Sequence, residues 1–315
     1  MAEYRSKILI IGSGPAGYTA GIYAARAGLK PILISGAETG GQLTLSEEVE
    51  NFPAFVASSR GPDLMEIMRQ QALKCGVQMI SDTVAEVEFG RRPFECTTEN
   101  HNLFCADAVI IATGASAKWL GIPSETKYRG FGVSVCATCD GFFYRNKDVA
   151  VIGGGNSAVE EALYLTNFAR SVTLIHRRDS LRAEQGLQLR LKHNPQINIK
   201  YNCVVEEILG TDTPPLQVEG LRLKNVKNDK SETIKIDGVF VAIGHEPNSR
   251  LFRHILKLND EGYIVTAADS CATNIQGIFA AGDVQDPRYR QAVIAAGSGA
   301  MAAMEAGWYL SEAGL

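Results

Sequence analysis

Twice in 315 residues an apolar strand runs straight into a glycine-rich turn that opens a helix. The first turn is Gly12-Ser13-Gly14-Pro15-Ala16-Gly17, between a strand at 7–11 and a helix at 16–27. The second is Gly153-Gly154-Gly155-Asn156-Ser157-Ala158, between a strand at 148–152 and a helix at 156–167. Few folds accommodate this frame. The first glycine permits the tight turn, the second lets backbone approach a pyrophosphate, and the last, Gly or Ala, lets helix pack on strand. The phosphate then sits on the positive end of the helix. Strands at 31–34 and 172–176 complete two βαβ units, about 140 residues apart and repeated in fold with little identity. Neither first strand alternates in polarity, as expected where a parallel sheet is covered on both faces. Further strands are expected at 106–112, 237–243 and 277–281, a loop at Thr213, Pro214 and Pro215, a polar turn at 224–230, and a long alanine- and glycine-rich helix at 291–310. The fold class is α/β, with two Rossmann-like, three-layer ββα domains.

A length of 315 residues at roughly 150 per domain agrees with two domains, and 45% hydrophobic residues can fill two cores. The net charge of −4 gives no general attraction to nucleic acid or an anionic membrane. Residues 1–7 carry charges with no signal-like apolar stretch after them, and 292–304 is too short and glycine-rich to span a bilayer. Cysteine is present in an odd number, seven, and Cys75, Cys96, Cys105, Cys203 and Cys271 stand alone. That is no secreted disulfide framework, so a cytoplasmic, reducing compartment is expected.

At the end of its second strand the first unit has Ser35 where an acid usually holds an adenosine ribose. Glu38 is a substitute, or equally an ordinary solvated side chain. The strand at 277–281 closes in Gly282-Asp283. An acid there needs a partner, since an unpaired buried charge is costly; a ribityl hydroxyl or a structural cap would serve. In the second unit the strand ends in His176-Arg177-Arg178 with no acid. Arginines in that place suit a 2′-phosphate and hence NADPH, and Arg182, one helical turn beyond Arg178, joins the same pocket. The bland alternative is a solvated charge run.

Cys136-Ala137-Thr138-Cys139-Asp140 supplies the only C-x-x-C. Two thiols at this spacing can close a disulfide, and a nearby charge or helix start can depress one pKa. Half of a zinc site is an alternative, but no second Cys or His pair has the spacing, so no metal is expected. Two fortuitous core cysteines are another. Asp140 can move a proton to or from a thiolate, or merely shape the turn before Gly141.

Cys136 to Gly141 in the second unit resembles the redox motif of the bacterial-type, low-molecular-weight thioredoxin reductases. The likeness runs through Gly40-Gly41-Gln42-Leu43, Glu50-Asn51-Phe52-Pro53, Ala112-Thr113-Gly114-Ala115, His176-Arg177-Arg178-Asp179, Gly244-His245-Glu246-Pro247-Asn248 and Arg290-Gln291-Ala292, in that family's order. The resemblance implies an FAD domain split into 1–115 and 247–315, with an NADPH domain, 116–246, inserted and carrying the dithiol. It implies domain rotation between flavin reduction and disulfide exchange, with Gly114 and Gly244 as relief points. FAD contacts would come from Gly12, Ser13, Gly14, Pro15, Ala16, Gly17, Gly41, Gln42, Leu43, Asn51, Thr113, Gly114, Gly282, Asp283, Arg290, Gln291 and Ala292. NADPH contacts would come from Gly153, Gly155, Asn156, Ser157, His176, Arg177, Arg178 and Arg182. Cys139 would face the flavin, Cys136 would attack the disulfide of thioredoxin, and Asp140 would exchange protons. A homodimer is implied by resemblance alone. Three rivals are a dithiol oxidase on the same fold, a ferredoxin– or flavodoxin–NADP reductase needing no cysteine pair, and a non-catalytic redox sensor. The intact arginine run and second glycine turn speak against the first.

Overall fold

A computed structural model describes residues 2–46, 48–54 and 59–315. The chain divides into two compact units, Met1–Ser116 with Glu246–Leu315, and Ala117–His245. In the first, β1 (Glu3–Ile11), α1 (Pro15–Arg26), β2 (Ile32–Ile34), α2 (Gly61–Lys74) and β3 (Gln78–Ile80) make a parallel βαβαβ run. An antiparallel meander follows, β4 (Val84–Glu88), β5 (Phe94–Thr98) and β6 (Leu103–Ile111), whose last strand returns parallel to β1. Side chains on β1 point alternately to two sides. Ile8 and Ile10 pack with Tyr18, Leu64 and Met68 on the helical side, Leu9 and Ile11 with Phe94, Phe104 and Phe252 on the other. Both faces are buried, which is why the strand reads as continuously apolar.

The chain leaves through β7 (Ala115–Ala117). In the second unit α3 (Pro123–Tyr128), β8 (Val133–Ser134) and the short α4 (Ala137–Asp140) precede β9 (Asp148–Gly153), α5 (Asn156–Leu165), β10 (Ser171–His176), α6 (Gln185–Lys192) and β11 (Ile197–Tyr201). Then come β12 (Cys203–Gly210), β13 (Val218–Asn225), β14 (Ser231–Lys235) and β15 (Gly238–Ala242). The parallel sheet has the order β11-β10-β9-β15-β8, and β12-β13-β14 form a separate antiparallel sheet. Val149 and Val151 face Val159 and Ala162 of α5, while Ala150 and Ile152 face Val205, Leu221 and Leu223 of the antiparallel sheet. Helix, parallel sheet and antiparallel sheet make the three layers.

The chain re-enters the first unit through β16 (His245–Pro247). There β17 (Ile278–Ala280) lies parallel to the second half of β6, with Ile278 opposite Val109, and α7 (Ala292–Glu312) closes the helical side. Small residues on α7 serve close packing, because a Cβ on Gly299 would stand 2.2 Å from the carbonyl oxygen of Ala16. One expectation is corrected. Residues 177–184 contain no helix, so Arg182 is not one helical turn beyond Arg178; the segment is a bent, non-helical strap leading into α6.

Candidate active site

Gly12 lies at φ +115°, and a Cβ there would stand 2.2 Å from the carbonyl oxygen of Ala112. One on Gly17 would stand 2.0 Å from that of Gly12, so α1 seats on the turn only without a side chain. Gly14 is different: nothing lies within 4 Å of where its Cβ would be. As the N-cap of α1 it offers no side-chain cap, and Pro15 opens the helix without needing a backbone N–H partner. The first turn thus has no capping side chain and open space beside Gly14, which fits a pyrophosphate. Gly17→Ala should cost about 1–3 kcal/mol by overpacking and weaken any dinucleotide held at the turn. Thermal melts and ligand titration read both, and unchanged stability would show that the helix has room to spare.

Other candidates of the first unit converge on this turn. The Ser13 hydroxyl donates to the carbonyl of Ser35 at 2.8 Å and accepts from the Gly40 N–H at 3.0 Å. A Cβ on Gly41 would lie 3.4 Å from the Cα of Gly14. Gln42 turns aside to donate to Glu38 at 3.1 Å, and Leu43 lies under Gly61, whose Cβ would stand 1.9 Å from its carbonyl oxygen. The Asn51 amide donates to Gln291, the N-cap of α7 directly before Ala292, at 3.2 Å. Thr113 and Asn248 exchange two hydrogen bonds, at 2.8 and 2.9 Å, while Gly114 accepts from the Asn248 N–H. Gly282 packs onto α1, its Cβ position 2.9 Å from that of Ala16. The next residue, Asp283, has its carboxyl pushed up to about 6 by burial and by Asp286, with Arg290 opposing. A carboxylate so short of solvation fits a ligand hydroxyl that donates to it.

In the second unit the corresponding turn has the same economy. A Cβ on Gly153 would meet the carbonyl oxygen of Ala242 at 2.3 Å and the Cβ of Ala158 at 2.6 Å, whereas Gly155 faces nothing within 4 Å. Gly155 caps α5 without a side-chain hydrogen bond. The strap is tied to the turn. The Arg182 N–H donates to the carbonyl of Gly154 at 2.7 Å, and Asn156 exchanges bonds of 2.9 and 3.0 Å with Glu184. Arg177, Arg178 and Arg182 are exposed and Ser157 half-buried, whereas His176 is buried, apart from the arginines that follow it. Asp179, the acid between Arg178 and Arg182, pairs with Lys227 at 3.1 Å, which holds its carboxyl below the usual range. The strap thus presents cations to solvent beside an open amide turn, the donor set a phosphorylated ribose and a pyrophosphate require.

Cys136 follows β8 and caps α4. Its N–H donates to Ser134 at 3.0 Å, and its Sγ accepts from the Cys139 N–H at 3.2 Å and stands 3.3 Å from the Thr138 hydroxyl. Cys136 and Cys139 are joined in a disulfide, with Cα atoms 5.3 Å apart. The sulfurs bond each other, and neither residue is buried. Among the described residues no group of three or more His, Cys, Asp or Glu is placed to hold a metal. Buried Ala137 anchors the turn in the helical core, and Asp140 ends it, half-buried, its N–H donating to the Cys136 carbonyl at 3.1 Å. Burial pushes Cys96 and Cys271 up to about 12, leaving them inert thiols.

Three contacts do not follow from the motifs: the Ser13–Ser35 clip, Asn248 against Thr113, and that of Ser298, whose hydroxyl accepts from the Gly282 N–H at 2.8 Å. None follows from residue type alone. Ser298 sits in a stretch of small residues that signals only a close-packed helix.

Fold, two nucleotide turns and a dithiol define a class, and the model of the pyridine nucleotide-disulphide oxidoreductase family matches residues 6–299. A thioredoxin reductase of Rickettsia felis is 54% identical over 307 residues, covering 98% of this chain and 99% of the relative. The solved thioredoxin reductase of Giardia duodenalis superposes with a TM-score of 0.93 at 39% identity, over 98% of this chain and 99% of that one. A Pseudomonas fluorescens relative named glucosaminate ammonia-lyase is 52% identical over 319 residues, 98% of each chain. The chain belongs to the thioredoxin reductases within the pyridine nucleotide-disulphide oxidoreductase family, a flavoprotein oxidoreductase whose cofactors are FAD and NADPH. No helix among the described residues is long and apolar enough to cross a membrane.

Proposed function

We propose that the protein reduces the disulfide of thioredoxin with electrons from NADPH. The Cys136–Cys139 disulfide, set in the same unit as the arginine-bearing nucleotide turn, carries the proposal. Residues 1–115 and 247–315 are assigned to FAD and 116–246 to NADPH and the dithiol. In the first, the amide turn Gly12 to Gly17 takes the pyrophosphate, Gly41 to Leu43, Asn51, Thr113, Gly114 and Arg290 to Ala292 line the flavin, and Asp283 accepts from a ribityl hydroxyl. FAD, when bound, supplies the two-electron relay between nicotinamide and disulfide.

The protein's own chemistry is thiol exchange. Two electrons and two protons open the Cys136–Cys139 bond. The Cys139 N–H aimed at Cys136 Sγ favours the Cys136 thiolate, so Cys136 attacks one sulfur of the thioredoxin disulfide. The expelled thiolate takes a proton by way of Asp140. Cys139 then attacks the Cys136 sulfur of the mixed disulfide, which restores the internal bond and releases dithiol thioredoxin. A visible spectrum followed through additions of NADPH and then oxidised thioredoxin tests the sequence of transfers. Flavin colour must fade with the first and return with the second; colour that stays bleached would refute thioredoxin as the acceptor.

If Asp283 accepts from FAD only when ionised, binding releases a proton below the unliganded value of about 6. FAD affinity should therefore weaken as pH falls below about 6, by at most about tenfold per unit, and be level above it. Asp283→Asn should bind FAD more weakly with no such slope; an equal slope in the variant places the titration elsewhere.

A homodimer in the cytoplasm completes the proposal. Met301, Met304 and Trp308 form an exposed apolar stripe on α7, with Trp308 59% exposed, and a second copy is its occupant. Sedimentation of Trp308→Glu as a monomer would support this.

A further inference from the structure

The three glycines of the second turn are glycine for three reasons. Gly153 clears backbone and Gly155 faces open space, but Gly154 is closed off by a side chain. A Cβ there would lie 2.3 Å from both Cε1 and Nδ1 of His176 and 2.8 Å from its Cγ. His176, the last residue of β10, is 5% exposed, so its ring rests on the turn with no room to spare. Its Nε2 has no hydrogen-bond partner among the described residues. Burial lowers its pKa, as do Arg182 and Arg178, while the backbone at Gly153 and Ser180 opposes them. The ring is thus a neutral spacer between turn and strap.

The first unit shows what the same two positions do otherwise. Ile11 pairs with Ile34 as Ile152 pairs with Ile175, so Ser13 and Ser35 correspond to Gly154 and His176. There two small residues meet through the 2.8 Å hydrogen bond from the Ser13 hydroxyl to the Ser35 carbonyl. In the second unit a residue without a side chain faces a large one. The space is filled in both, by different partitions of volume, and in the second the strap of arginines leads directly out of the large residue.

We propose that His176 is a positioning residue for the nucleotide: its ring, seated where Gly154 leaves room, sets the distance between the amide turn and the strap bearing Arg177, Arg178 and Arg182. The Arg182–Gly154 and Asn156–Glu184 bonds hold the strap down against this spacer. The inference rests on assigning NADPH to this unit, and it moves His176 from a ligand contact to the support beneath the contacts.

The test is calorimetric binding of adenosine 2′,5′-bisphosphate to the flavin-loaded enzyme, alongside KM and kcat for NADPH. His176→Ala should weaken binding by at least about fivefold, and Gly154→Ala by at least as much, because its methyl displaces the ring. The double variant should bind better than Gly154→Ala alone, a coupling of at least about fivefold between the sites. KM should rise in the single variants while kcat at saturation stays within about twofold, since neither residue reaches the reacting atoms. His176→Leu, which fills the volume without a nitrogen, should bind as the parent does; a loss as large as that of His176→Ala overturns the spacer role, also where Gly154→Ala fails to fold. Losses in the double variant that simply multiply overturn it too. Arg177→Ala/Arg178→Ala separates the two levels. If that variant binds the bisphosphate undiminished, the NADPH assignment fails; if it loses binding while His176→Ala and Gly154→Ala do not, only the positioning role fails.

Discussion

Replacing Cys136 or Cys139 by Ser should lower thioredoxin reduction by at least about 10³-fold while NADPH still bleaches the flavin at an undiminished rate. Serine at 136 keeps the cap of α4, since its hydroxyl can accept from the Cys139 N–H as Sγ does now at 3.2 Å. The fold is therefore preserved and the loss is chemical. The two variants fail at different steps. Cys136→Ser lacks the attacking sulfur and should form no adduct. Cys139→Ser keeps the attacking sulfur but lacks the one that resolves the mixed disulfide, so it should accumulate a covalent complex with oxidised thioredoxin once Cys136 is reduced, visible on a non-reducing gel. Anything near full turnover by either variant would remove the dithiol from the pathway. An adduct on Cys136→Ser instead would reverse the assigned roles.

Much of the architecture was legible because buried parallel strands and glycine turns leave strong local marks. β1 and β9 are covered on both faces and read as unbroken apolar runs, and each ends where a helix must come close to backbone. What local pattern misses is contact between distant segments. The Ser13–Ser35 clip spans 22 residues and joins two serines, a residue type common at any surface. Gly154 occupies the variable position of its fingerprint, and its requirement comes from a ring at the end of another strand. The course of the strap is marked by two conflicting local patterns. Arg178 and Arg182 are four apart, which suggests one helical face. Yet Leu181 and Ala183 are buried while Arg182 and Glu184 are exposed, an alternation of period two that no helix gives. That alternation is legible in Leu181, Arg182, Ala183 and Glu184, and it outranks the four-residue spacing of two like charges.

That geometry sets the second large effect. With Arg177 and Arg178 both changed to Ala, KM for NADPH should rise at least about 10²-fold, taking about 1.5–3 kcal/mol for each charge-assisted bond to the 2′-phosphate. KM for NADH, which has no such phosphate, should change by less than about threefold. Two features of the strap make the contrast sharp. Asp179, the acid nearest to these arginines in sequence, is held by Lys227 at 3.1 Å and does not neutralise them. The Arg182 backbone and Asn156 tie the strap to the turn independently of the two guanidinium groups, so truncating them leaves the pyrophosphate site in place. Because Arg177 and Arg178 are exposed, their attraction is screened by salt: the parent's KM for NADPH should climb with ionic strength more steeply than the variant's, which keeps Arg182. Equal losses with both dinucleotides would show that the arginines support the turn as a whole rather than reading the phosphate. A salt dependence undiminished by the double substitution would shift the recognition to Arg182, the remaining exposed cation of the strap among the described residues.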